Sequence, residues 1–286
     1  MGKLILMQLL NGFVWGWLLA LISIGLTLIY GQLEIINVAH GTMYTIGAVT
    51  TFYTFILFKS WSYALIISPL FMGILALFIY LSTIRFVVGG SPITTVIIAY
   101  GILFILEQLT LLIFGGVPRT IPNPIPQSIT LFKGISYPLY RIFCAGFSIV
   151  VITLLLTFLK KTKLGLWIRA TKQDHETAAA MGISVPFVFM FIFVLGSALA
   201  ALGGVLAAPI TGVTFDMGNN IVIDAFIVVI MAGFGSIPGT IVAALIIEMV
   251  IGLSAAFVNP VIAKVVGLAV MLIALYIRPQ GIFGEE

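Results

Sequence analysis

The amino-acid sequence consists mostly of long, continuous apolar segments, and this feature restricts the fold more than any other. A helix needs about 20 apolar residues to cross a bilayer. Seven such segments lie near residues 6–30, 41–58, 63–84, 93–115, 139–159, 186–209 and 258–278. An eighth stretch, 221–254, is too long for one span and is interrupted by the glycine-rich segment 233–239. We therefore predict an all-α polytopic membrane protein with eight or nine membrane segments, some of them broken, in one transmembrane domain over residues 1–286.

Composition excludes several other classes of protein. Hydrophobic residues make up 62% of the chain and charged residues 8%, and a soluble domain of this composition would expose large apolar patches. The apolar runs do not alternate with polar residues, which disfavours a transmembrane β-barrel. With one cysteine, Cys144, and two histidines, His40 and His175, we expect no Cys/His metal cluster. We also expect no cofactor and no nucleic-acid partner.

The basic residues predict how the chain is oriented. Lys160, Lys161, Lys163, Arg169 and Lys172 lie close together in one short connection, and cytoplasmic loops are enriched in such residues. We predict that 160–185 is a cytoplasmic loop and that the proline-rich segment 116–138 is an external loop.

Small residues and breaks in the spans indicate an internal repeat. Glycine or alanine recurs every fourth residue at three places: Gly12, Gly16 and Ala20; Gly196, Ala200, Gly204 and Ala208; and Gly235, Gly239 and Ala243. Ordinary helix packing explains any one of these stripes. The first and sixth spans, however, run in opposite directions, and each leads to a polar, glycine-containing break, at 31–41 and at 233–239. Paired breaks of this kind predict an inverted repeat and a solute pathway.

Several polar residues in or near the membrane are candidates for that pathway. Glu34, Asn37 and His40 lie in the first break, where a helical turn would put Asn37 and His40 on one face. The alternative is an interfacial turn without a solute.

Two carboxylates, Glu107 and Glu248, lie well inside apolar runs, where an unpaired charge is costly and functional roles are common. The alternative is a protonated carboxyl group bonded to a neighbouring helix. Asp224, in contrast, is interpreted as compensating a helix dipole near a helix start.

The basic connection contains the most informative segment. Asp174 can cap a short helix, the residues from Glu176 to Met181 favour helix, and Gly182 can end it. We predict that this helix docks on a partner through a small-residue face that begins with an acidic residue. The residues assigned to it are Asp174, Glu176, Ala178, Ala179, Ala180, Met181 and Gly182. The alternative is a connector lying on lipid headgroups.

The chain carries no recognisable catalytic site. The glycine-rich segment 233–240 lacks the lysine that a phosphate-binding loop requires before Thr240. No nucleophile is paired with a base. We expect that the protein is not an enzyme, and that any ATP hydrolysis belongs to another subunit.

Five motifs resemble one known family. The pattern acidic-x-Ala-Ala followed by Met-Gly-Ile, at 176–183, is similar to the coupling loop of ABC importer permeases. The other motifs are Gly25-Leu-Thr-Leu-Ile-Tyr-Gly31, Ile36-Asn-Val-Ala-His-Gly41, Gly235-Ser-Ile-Pro-Gly239 and Arg278-Pro-Gln-Gly-Ile-Phe-Gly284. Together they resemble LivH-type permeases of the branched-chain (hydrophobic) amino-acid uptake family, over nearly the whole chain.

The resemblance implies a permease subunit in the plasma (inner) membrane of a prokaryote, forming half of a translocation pathway. Its partners would be a second homologous permease, two ATP-binding-cassette subunits and an external solute-binding protein. The implied solute is a branched-chain or other hydrophobic amino acid, with urea or amides as alternatives. Gly235 and Ser236 join the predicted pathway residues. The competing hypothesis is a stand-alone ion- or proton-coupled transporter that uses Glu107 and Glu248, but such a protein would not need a docking helix.

Overall fold

The computed structural model describes residues 1–131 and 134–284, and it is almost entirely helical there. Eight of its helices are long and apolar enough to cross a membrane, by length and composition, and α9 is a shorter apolar helix. This confirms the predicted all-α architecture. The helices are α1 Gly2–Leu33, α2 His40–Phe58, α3 Ala64–Ser82, α4 Pro92–Phe114, α5 Leu139–Lys161, α6 Lys163–Gln173, α7 His175–Ala180, α8 Val185–Thr211, α9 Gly218–Ala232, α10 Ile237–Ser254 and α11 Pro260–Ile277.

The segment 116–138 contains a small hairpin that the sequence did not predict. Strand β1, Ser128–Leu131, pairs antiparallel with β2, Ile135–Pro138. The hydroxyl of Tyr137 donates a hydrogen bond of 3.0 Å to Asn11 Oδ1 on α1. Residues 132 and 133 of this segment lie outside the described residues.

Helix α1 is the centre of the structure and packs against α5, α8, α9 and α10. It is apolar on all sides, as expected of a helix that is surrounded by others. The small residues of its stripe allow α10 to come close: a Cβ atom on Gly12 would lie 2.5 Å from the Glu248 carbonyl oxygen, and one on Gly16 would lie 3.1 Å from Leu245 Cα. Further toward the Leu33 end of α1, the hydroxyl groups of Thr27 on α1 and Thr240 on α10 are 2.7 Å apart.

The second long helix, α8, packs against α1 in the same way. A Cβ on Gly25 would lie 2.5 Å from the Gly196 carbonyl oxygen, and one on Gly196 would lie 2.6 Å from the Gly25 carbonyl oxygen. Gly204 faces α2, where an added Cβ would collide with the Tyr44 carbonyl oxygen. The stripes on α1 and α8 are therefore helix contacts, as close packing without a hydrophobic drive between helices requires. The third stripe differs, because Gly235 lies in the turn before α10 and an added Cβ on Gly239 would meet Ala232 and Phe283.

The two halves of the chain follow the same plan. In each half a long helix is followed by a short break and a helix that begins beside the break of the other half. These are α1, residues 34–39 and α2 in the first half, and α8, residues 212–217 and α9 in the second. The predicted second break at 233–239 is therefore wrong as the counterpart of the first. Residues 233–236 form an ordinary turn between α9 and α10, where Gly233 and Gly235 have positive φ angles.

Candidate functional site

Two helices begin together inside the membrane. The Nε2 atom of His40, the first residue of α2, lies 3.0 Å from the carbonyl oxygen of Ile22. Ile22 precedes the end of α1 at Leu33 by about 16 Å along the helix axis, at 1.5 Å per residue. Helix α9 begins at the same place, because the backbone N–H of Gly218 donates to Thr45 Oγ1 of α2 at 2.9 Å. Both breaks therefore re-enter the membrane.

The first turn of α9 is polar and exposed. Asn219 and Asn220 are both exposed, and the Asn219 amide donates a hydrogen bond of 3.1 Å to Glu107 Oε1 on α4. Exposed polar groups at this depth are unfavourable against lipid, so they are expected to face a protein or a water-filled space. Neither asparagine was among the residues predicted from the sequence, although an Asn-Asn pair directly before an apolar run is a signal that could have identified them.

An ion pair lies further along the same helix. Lys264 Nζ on α11 is 2.8 Å from Asp224 Oδ2, with the lysine side chain 52% exposed and the aspartate 14% exposed. The interpretation of Asp224 as a helix-dipole residue is wrong: α9 begins at Gly218, so Asp224 lies beyond the first turn, where the dipole effect has faded. Glu248, the other predicted carboxylate, is partly buried on α10.

The polar residues of the first break are not brought together on an open surface. Asn37 is 1% exposed and His40 is fully buried, while Glu34 is exposed and has a positive φ of 55°. Asn37 precedes α2, and its carbonyl accepts from the His40 N–H in a turn, so the two residues are close but are not presented on an exposed helical face. The Asn37 amide instead lies 4.0 Å from the Met43 sulfur.

A cavity of about 740 Å³ lies at the Leu33 end of α1. Its walls are α1, the end of α5, α6, the turn before α10 and the segment after α11. The predicted residues Gly235 and Ser236 lie in this wall rather than beside Glu107 or Asn37. The ammonium group of Lys172, another wall residue, donates a 3.2 Å hydrogen bond to the Gly235 carbonyl oxygen.

The predicted docking helix is present as α7. Asp174 Oδ1 accepts hydrogen bonds from the backbone N–H groups of Glu176 and Thr177, at 2.8 and 3.0 Å. These bonds, first among them those from Thr177, hold the pKa of the Asp174 carboxyl below its ordinary value, because they stabilise the ionised form. Gly182 ends the helix with a φ of 84°, and the Ile183 N–H returns to the Ala178 carbonyl oxygen at 3.1 Å.

The exposed face of α7 is narrower than predicted. Ala178 is only 3% exposed, because it packs inward on its own chain, whereas Met181 is 80% exposed. Ala179, Ala180 and Gly182 are also exposed. The available face therefore consists of residues 179–182 together with Asp174 and Glu176.

This helix is tied to both long helices. Through α6, the Gln32 side chain of α1 donates to the Ile168 carbonyl oxygen at 2.8 Å and accepts from Thr171 Oγ1 at 2.9 Å. On the other side, the His175 ring lies 5.1 Å from the Phe189 ring of α8, edge to face. A displacement of α7 would therefore act on α1 and α8 together.

Taken together, the helix breaks at membrane depth, the repeated plan and the exposed polar turn define a multi-pass membrane protein of the transporter class. The chain belongs to the family described as "Branched-chain amino acid transport system / permease component", whose model matches residues 8–275. It is a permease subunit of an ABC importer in the plasma membrane.

Individual proteins agree with this assignment. The chain is 28% identical to the high-affinity branched-chain amino acid transport system permease protein BraD of Pseudomonas aeruginosa, over 98% of this chain and 96% of that protein. It is also 28% identical to the permease protein LivH of Escherichia coli K12, with the same coverage. Among solved structures, PsaBC from Streptococcus pneumoniae, in complex with a Fab, aligns at a TM-score of 0.50 and 16% identity, over 96% of this chain and 92% of that one. That likeness concerns the fold alone.

Proposed function

We propose that this permease carries branched-chain or other hydrophobic amino acids along the face where α9 begins. The observation that supports this proposal most directly is the exposed first turn of α9. Its residues Asn219 and Asn220 lie next to Glu107 and at membrane depth. Its relatives BraD and LivH are named for branched-chain amino acid transport, which supports this solute class over urea or amides. The face lies on α4, α9 and α11, so a second permease placed against it would complete the pathway.

The remaining predicted pathway residues have different places in this proposal. Asn37 and His40 are buried. We therefore propose that they stabilise the contact where α2 and α9 begin and do not touch the solute. Glu248 is partly buried on α10, which packs against α9 and α11. Glu34, at the exposed end of the first break, lies outside the proposed pathway. Of the two carboxylates predicted from the sequence, Glu107 is then the one that touches the pathway.

We also propose that ATP is hydrolysed by separate ATP-binding-cassette subunits that dock on α7 from the cytoplasm, and that an external binding protein delivers the solute. The loop 160–185 would then be cytoplasmic and 116–138 external. The exposed face of residues 179–182 supports docking. The ties from α6 and α7 to Gln32 and Phe189 supply a route by which motor closure moves α1 and α8.

The test is to purify the tagged chain with its co-expressed partner subunits, reconstitute it and measure uptake of leucine and of urea. We expect ATPase subunits to copurify and leucine uptake to require ATP. Uptake of urea without leucine would contradict the solute class. Uptake without ATPase subunits, driven by an ion or pH gradient, would contradict the importer mechanism and support the stand-alone transporter.

A pair of variants tests the pathway itself. Glu107→Gln keeps an oxygen that accepts from Asn219, whereas Glu107→Leu removes the hydrogen bond to a charged acceptor, which contributes about 1.5–3 kcal/mol net. We expect Glu107→Gln to retain uptake and Glu107→Leu to lower it about tenfold or more in assembled complexes. Unchanged uptake in Glu107→Leu would contradict the proposed pathway, and equal loss in both variants would show that the charge is required rather than the hydrogen bond.

A further inference from the structure

The cavity at the Leu33 end of α1 has two chemically different parts. Its inner wall is mainly apolar, with Leu28 of α1, Leu156 and Leu159 of α5, Ile168 of α6, and Phe234 and Ile237 near the start of α10. Its rim carries three cations, Lys160, Arg169 and Lys172, all exposed. Among the described residues that line it, none is acidic. An apolar space below a cationic rim is an amphipathic site.

The cavity lies beside the membrane-spanning helices rather than on the proposed pathway. Helices α5 and α10 both pack on α1, and the cavity lies between them beside the last turns of α1, from Thr27 to Gln32. It shares no residue with the polar face of Glu107, Asn219 and Lys264. A molecule that binds here would therefore not occupy the proposed pathway.

The cationic groups keep donors for a ligand. Lys172 uses one of its three N–H donors on the Gly235 carbonyl oxygen, and Arg169 uses one guanidinium nitrogen on the Leu159 carbonyl oxygen. These two bonds hold both side chains at the rim, and the remaining N–H groups are of the kind that bind phosphate oxygens. Basic pockets between membrane helices are suited to anionic lipid headgroups.

We propose that this cavity binds one anionic phospholipid, with its phosphate at Lys160, Arg169 and Lys172 and an acyl chain on Leu28, Leu156 and Phe234. The cavity volume and its apolar wall favour a lipid over free phosphate, which would leave the apolar part unfilled. Bound between α1, α5 and α6, the lipid would stabilise the position of α6 against α1. Helix α6 is the element that connects α7 to α1. The proposal does not depend on which solute is carried.

The test measures phosphatidylglycerol bound to the purified complex by native mass spectrometry, after delipidation and titration. The variant Lys160→Gln/Lys172→Gln removes two rim cations, and Lys161→Gln/Lys163→Gln is the matched control, since it removes the same charge from neighbours that do not line the cavity. At about 1 kcal/mol per cation we expect roughly 30-fold weaker binding in the first variant, and no such change in the control. Equal weakening in both would show non-specific attraction to the membrane surface and would overturn the proposal.

A second variant tests the apolar part without changing charge. Leu156→Trp fills the space beside the partly buried Leu156 and should also displace the lipid from complexes that remain assembled. Glycerol phosphate, a headgroup without acyl chains, should not compete with phosphatidylglycerol. Competition by glycerol phosphate, or full lipid binding in Leu156→Trp, would refute the amphipathic site. The sequence continues after Gly284 with Glu285 and Glu286. Lipid binding that occurs only after these two residues are removed would therefore overturn the proposal for the intact chain.

Discussion

The contact between α2 and α8 offers a quantitative test of the packing. A Cβ atom added to Gly204 would collide with the Tyr44 carbonyl oxygen and would lie 2.9 Å from the Ala48 backbone nitrogen, where ordinary contacts begin near 3.4 Å. Both neighbours are backbone atoms, so neither can turn away and the helices must separate. We expect Gly204→Ala to lower the free energy of unfolding by about 1–3 kcal/mol, as overpacking does elsewhere, and Gly204→Leu to prevent assembly of the complex.

The matched control is Gly146→Ala on α5, where an added Cβ has no atom within 4 Å. Replacing that glycine should instead stabilise the helix, by about 0.5–1 kcal/mol. The assay is reversible unfolding of the purified protein in mixed micelles with increasing sodium dodecyl sulfate, followed by circular dichroism. If Gly204→Ala is as stable as Gly146→Ala, the two helices do not pack at this distance and the described contact between α2 and α8 is wrong.

Three further predictions concern the docking helix and the ion pair. Asp174→Ala should reduce retention of the motor subunits during purification, whereas Asp174→Asn should retain them, because asparagine also caps helices. Since the folded pKa of Asp174 is lowered, its cap is fully formed at neutral pH and is lost only as the pH falls through that lowered pKa. Retention of the motor subunits, measured as a function of pH, would show this loss. Ala179→Asp should lower both solute-stimulated ATPase activity and uptake, since it buries a charge in the docking contact, and wild-type values of both would identify α7 as a connector. Asp224→Asn should weaken the contact between α9 and α11, and Lys264→Gln in the same chain should partly restore the lost thermal stability; additive losses would show that the two residues do not interact.

The sequence predicted the number and the type of membrane segments, because span length and hydropathy depend on local composition. It also predicted α7 closely, since Asp174 and Gly182 mark its ends by local hydrogen-bond and backbone requirements. Both signals act within a few residues of the chain, so neither requires knowledge of the packing.

The place where the two halves of the chain meet, at the starts of α2 and α9, was less predictable from the sequence. Residues 212–217 form the break that matches 34–39, but they carry fewer glycines than 233–239, which consists of an ordinary turn and the start of α10. Which break re-enters the membrane depends on the long-range contact of Gly218 with Thr45, and a single sequence does not reveal such contacts. For the same reason Asn219 was missed and Ala178 was placed on the wrong side of its helix.

The central claim is that the first turn of α9 faces a water-filled pathway inside the membrane. The direct measurement is the reaction of Asn219→Cys, in a Cys144→Ala background, with a membrane-impermeant thiol reagent in reconstituted complexes. The control is Ile105→Cys, two residues from Glu107 on α4 and 62% exposed in the isolated chain. The account predicts that the cysteine at position 219 reacts, that leucine delivered by the binding protein slows the reaction, and that the cysteine at position 105 stays unreactive. An unreactive position 219 in every nucleotide state, or equal reaction at both positions, would contradict it.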